Sequence, residues 1–121
     1  MSPGHSQPAT DHNLVYRRFF EDRQRTYLRT LVTPDVVAEH ARQPLGQHSE
    51  ALERLLIYFR GQPLAGKYAV AAVEPFKSFR IVALSGERGV PPRSVDDTLY
   101  ASEGEALHGV FLKRVHDLLE S

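Results

Sequence analysis

Apolar residues recur at helical spacing through "NLVYRRFFEDRQRTYLRTLV", residues 13–32. Val15, Tyr16, Phe19, Phe20, Tyr27, Leu28, Leu31 and Val32 carry the period, which predicts a first helix. Its middle, "EDRQR", is polar on most sides and is expected to be half solvated. The next segment, "TPDVVAEHARQP", has a helix start built in: Thr33 as N-cap, Pro34 at the first position and Asp35 at the positive end of the dipole. Gln43-Pro44 stops it, because the residue before proline is pushed out of helical geometry. A third helix, residues 49–60, gathers Leu52, Leu55, Leu56 and Phe59 on one side and ends at Gly61. Val, Ile, Phe and Tyr then become frequent. "KYAVAAV" (67–73) and "FRIVAL" (79–84) read as strands, with "EPFKS" as a hairpin loop between them. Both strands are apolar on two faces, with Val70 set against Val73 and Ile81 against Val82. One face packs on the helices. For the other, cover by the chain itself and contact with a second chain stand equal. Residues 85–101 are a loop by composition. A last helix opens at Ser102 and Glu105, a capping box, and carries Leu107, Val110, Phe111, Val115, Leu118 and Leu119 as its stripe.

The predicted class is α+β: three N-terminal helices, a β-hairpin, a long loop and a C-terminal helix packed around a small antiparallel sheet. Residues 1–12, broken by Pro3, Gly4 and Pro8, read as a disordered lead, and 13–121 as a single domain. A chain of 121 residues can bury about two-thirds of its unfolded surface, enough for a core without staples.

Charge changes the picture next. Fifteen basic and fifteen acidic side chains cancel, which argues against a nucleic-acid partner and leaves little colloidal repulsion between copies. The absence of cysteine excludes disulfides, thiolate catalysis and Cys-type zinc sites. No apolar run is long enough for a membrane span, and the lead lacks the pattern of a secretory signal. Cytoplasmic residence is the expectation.

Candidate chemistry is sparse. The histidines, at 5, 12, 40, 48, 108 and 116, include no pair at the spacing that presents two ligands on one helix face. Ser49 and Ser102 read as helix-start residues. "GQPLAGKY" holds a G-x-x-x-x-G-K core at Gly61, Gly66 and Lys67. Tyr68 stands where a phosphate-binding loop needs Ser or Thr, and the helix precedes the loop instead of following it. Glu21-Asp22 and Asp96-Asp97 are adjacent carboxylates in polar stretches, with nothing marking an acid–base couple. No catalytic, cofactor-binding or metal-ligating residue is assigned.

Several stretches, taken in order, resemble one family. A helix ends in Tyr58-Phe59-Arg60, followed by Gln62-Pro63 and by Gly66-Lys67-Tyr68 opening a strand. Near the end come Glu105, Ala106, His108, then Val110-Phe111-Leu112 and Arg114, and Glu39 to Gly46 adds "EHARQPLG". This series, over about residues 13–120, resembles the small subunit of N,N-dimethylformamidase. The resemblance implies a non-catalytic subunit of an enzyme that hydrolyses dimethylformamide to dimethylamine and formate. Its partner would be a large subunit carrying mononuclear non-haem iron on tyrosine and glutamate side chains. This chain would hold no cofactor and would stabilise the large subunit in a hetero-oligomer. Two alternatives stay open: a small subunit serving a related amidase with a different amide substrate, and a stand-alone protein-interaction domain.

Within "YFRGQPLAGKYAV", the glycines, the proline and the apolar residues are explained by a helix-to-strand connection. The polar groups crowded there are not. Tyr58, Arg60, Gln62, Lys67 and Tyr68 are therefore the candidate partner interface, with Arg60 as its anchor. His108 reads as a packing or hydrogen-bonding residue.

Overall fold

The structure, a computed structural model, describes the backbone of residues 6–121 and side chains from residue 14 onward. Helix α1 spans Ser6–Thr30, α2 Pro34–Arg42, α3 Glu50–Arg60 and α4 Glu103–Glu120. Strands β1 (Tyr68–Glu74), β2 (Ser78–Ala83) and β3 (Arg93–Ser94) form one antiparallel sheet in the order β1-β2-β3. The class is α+β, as the hydrophobic pattern predicts.

The caps are where the sequence puts them. Thr33 Oγ1 accepts the Val36 N–H at 3.2 Å, and Ser49 Oγ accepts the Leu52 N–H at 3.3 Å. Glu39 also takes the Ser49 hydroxyl and N–H, at 2.6 and 2.7 Å, which ties α2 to the start of α3. At α4, Ser102 Oγ accepts from the Glu105 N–H, while the Glu105 carboxylate reaches the N–H of Ala101, one residue before the cap.

α1 differs from the expectation at both ends. It begins at Ser6, inside the stretch 1–12 read as a disordered lead; residues 1–5 lie outside the described residues. Lengthening a helix costs far less than starting one, and Pro8 falls in the first turn, where its missing N–H leaves no bond unmade. Exposure is not confined to "EDRQR" either. Residues 14–24 are all exposed, and burial begins with Arg25 and Leu28. The N-terminal half of α1 is an arm, with Phe19 54% and Phe20 66% exposed.

The helical core is Leu28 of α1, Val36 of α2, Leu52, Leu55 and Phe59 of α3, and Phe111, Val115 and Leu118 of α4. α4 also lies against β1 and β2, so it separates the other helices from the sheet. Close approach on that side needs Gly109. A Cβ there would stand 2.7 Å from the Tyr100 hydroxyl and 3.0 Å from Ile81 Cδ1. Val82 faces away from Ile81 yet is also buried, so the chain covers its own sheet at that point, while Val73 is exposed.

The long loop supplies what the sequence pattern does not show. Arg93–Ser94 pairs with Val82 and Ala83 as β3, and Tyr100 bridges Phe79 through two backbone bonds of 2.8 and 2.9 Å. At the hairpin tip, Phe76 has φ +65° and is 95% exposed.

Candidate functional site

The connection from α3 to β1 is fastened at three points. Gly61 caps α3 with its N–H directed to Ile57 and Tyr58 carbonyls, at an ordinary φ of −80°. Lys67 N–H closes a turn onto the Leu64 carbonyl at 3.0 Å, with Gly66 at φ +79°, where a side chain would be strained. Gly66 N–H then bonds the Leu84 carbonyl at 2.7 Å and Leu84 N–H the Lys67 carbonyl at 2.9 Å, which stitches the turn to the end of β2.

This turn is one wall of a cavity of about 360 Å³. Tyr58, Gln62, Lys67 and Tyr68, four of the five sequence candidates, line it. Arg60 stands beside it and outside its lining. The opposite wall is α4, through Arg114, Asp117 and Leu118, and α1 contributes Arg25. Sequence reasoning missed these. The signal available was that Arg114 and Asp117 sit three apart, on one helix face.

Tyr68 Oη donates to Asp117 at 2.8 Å; burial first, and that bond second, push the phenol pKa up. Arg114 donates to the Tyr68 carbonyl at 3.2 Å, and Lys67 Nζ to the Arg60 carbonyl at 2.7 Å. Burial lowers the Arg114 pKa, and repulsion from Arg60 lowers it further. Arg25 pairs with Asp22. Among the described residues, no carboxylate pairs with Arg60, Lys67 or Arg114. The groove thus holds positive charge in excess, against walls made by Tyr58, Phe59, Pro63 and Leu118.

The histidines form a second constellation, invisible in their spacing. His40 Nδ1 lies 2.9 Å from His108 Nδ1, and the His40 ring stacks on Phe111 at 4.1 Å between centroids and on His48 at 6.3 Å. His48 directs Nδ1 to Glu53 at 3.1 Å and Nε2 to the Gln43 carbonyl at 2.7 Å. These rings stack and bond one another instead of converging on a point. Among the described residues, no three of His, Asp and Glu are placed to hold a metal ion.

The comparison with known proteins decides the lineage. The family described as N,N-dimethylformamidase alpha subunit matches residues 15–121. The chain belongs to the N,N-dimethylformamidase alpha subunit family. An N,N-dimethylformamidase alpha subunit from Paracoccus aminophilus is 34% identical over 113 residues, covering 89% of this chain and 79% of the relative. One from Alcaligenes sp is 33% identical over 113 residues, covering 89% and 84%. For this member of the alpha subunit family, no helix among the described residues is long and apolar enough to cross a membrane.

Proposed function

We propose that this chain is the small, non-catalytic subunit of an amide hydrolase of the dimethylformamidase type. It stabilises a large subunit in which the iron and the hydrolytic chemistry reside. Iron held there supplies Lewis acidity and lowers the pKa of bound water. Dimethylformamide is the substrate that the relatives' names point to, and a related amide is the alternative. The cytoplasm is the compartment that fits a chain without cysteine.

The observation that carries the partnered reading is the α1 arm. Leu14, Val15, Phe19 and Phe20 each expose about half of their surface or more, on one stretch of helix standing clear of the core. Contiguous apolar surface of this kind marks a contact with another macromolecule. The polar turn supports the same reading, because Arg and Tyr concentrate at the centres of protein interfaces.

The test is purification of the chain from its native cells, with the co-purifying protein sized, its iron counted and amide hydrolysis assayed. A larger, iron-bearing partner that releases formate from dimethylformamide is the expected result. A chain recovered monomeric, with no partner, refutes the reading and leaves the stand-alone interaction domain in its place.

A further inference from the structure

The groove between the α3–β1 turn and α4 has an electrostatic imbalance that the fold does not resolve. Lys67 and Arg114 each donate to a backbone carbonyl, a neutral acceptor. An ammonium has three donors and a guanidinium five, so both keep donors to offer. Among the described residues, the side-chain carboxylate in the lining is that of Asp117, which the Tyr68 hydroxyl engages, and Ser121, also in the lining, accepts from Arg29 through its main-chain oxygen. Arg60 adds a further positive charge beside the cavity, close enough to disfavour the charged form of Arg114. Like charges drawn together around a concave, half-enclosed space are stabilised by whatever anion enters it.

The walls narrow the choice of anion. Tyr58, Phe59, Pro63 and Leu118 give the cavity an apolar side, and about 360 Å³ holds more than a bare ion. A guanidinium fork matches the two oxygens of a carboxylate. The chain as a whole has no net charge, so the excess is local to this groove and not a general polyanion-binding surface.

We propose that this groove receives an acidic side chain, flanked by an apolar residue, from the partner subunit. The carboxylate lies between Lys67 and Arg114, and the neighbouring apolar group rests on Tyr58 and Pro63. This rests on the subunit reading above, and it places the centre of the contact on Arg114 and Lys67, with Arg60 outside the pocket.

The test measures the Kd between the full chain and the isolated partner subunit by calorimetry, at low and at high salt. Lys67→Met with Arg114→Met keeps the aliphatic stems and removes both charges. The double variant is expected to bind about tenfold to a hundredfold more weakly, with a flatter salt dependence, as loss of a desolvated charge pair requires. Arg114→Lys restores charge without the fork and recovers part of the affinity. Lys77→Met, which removes an exposed charge at the hairpin tip, leaves binding unchanged. If Arg114→Met does not fold by circular dichroism, Lys67→Met alone carries the comparison. A double variant that folds and binds like the wild type, with the same salt response, overturns the site and leaves the subunit reading intact. A wild-type chain that fails to bind the partner at any salt refutes both.

Discussion

Acid should loosen this fold through one histidine. His40 is 4% exposed, and its pKa is lowered from 6.5 to about 4. Burial is the main cause, followed by repulsion from His108 and then His48, while Glu39 on its own helix opposes the shift. The geometry gives the same sign. Between the Nδ1 atoms of His40 and His108, 2.9 Å apart, one proton makes a hydrogen bond and two make a clash. His108 is itself lowered by burial. From α3, Glu53 faces the cluster only through His48. The unfolded chain therefore takes up a proton near pH 6.5 that the folded chain refuses until about 4. Stability is full above the upper value, falls as pH drops through the window, and levels off below the lower one. At about 1.4 kcal/mol per pH unit, this window corresponds to about 3 kcal/mol. Urea unfolding followed by circular dichroism at a series of pH values reads the loss directly. Glu39 and Asp96, whose pKa values are lowered by their hydrogen bonds, also titrate at the acid end, so the comparison is with His40→Phe. Phenylalanine keeps the stack on Phe111 and cannot be protonated. Between neutral pH and about pH 4, the wild type should lose about 2–3 kcal/mol more than the variant. Parallel curves for the two proteins would refute the argument that His40 is the acid-sensitive group.

Gly86 has φ +73°, and a Cβ there would stand 2.8 Å from Ala65 Cα, in the backbone of the site turn. Gly86→Ala should cost about 2 kcal/mol or more and raise hydrogen exchange at Gly66 and Leu84; unchanged exchange would count against the packing described. Phe76→Gly relieves a positive φ at a residue that packs on nothing, so thermal melting should show a gain of up to about 1 kcal/mol. Phe19→Ser with Phe20→Ser should leave the isolated chain's stability within about 0.5 kcal/mol, since exposed positions make little contribution. A clear fall in Tm would mean that the arm folds back on the core. Ser102→Ala removes the acceptor for the Glu105 N–H and should cost about 1 kcal/mol in urea unfolding.

α2, α3 and α4 were legible because each carries its own period and cap: Thr33, Ser49 and Ser102 all cap as their chemistry dictates. β3 was not, because Arg93–Ser94 has no strand character of its own and is recruited by the free edge of β2. Periodicity identified the apolar face of α1 but could not say whether anything in the chain covers it. The α3–β1 turn was legible as a cluster of polar residues in one short segment. Its opposite wall was not, since Lys67 and Arg114 come to line one cavity only after α4 has packed. The histidine cluster was hidden for the same reason: His40 and His108 are 68 residues apart.

α4 comes after every other element in the chain, yet it is the piece between the helical core and the sheet. During synthesis, α2, α3 and the hairpin emerge with the apolar surfaces that Phe111 and Val115 will close still open to water. Few of the contacts between layers can form until α4 has left the ribosome, so folding should be concerted and late. Nascent chains halted before residue 103 should be cut by protease throughout, and chains with α4 fully emerged should resist it. Early resistance in the shorter chains would show that the hairpin or the first three helices fold without α4.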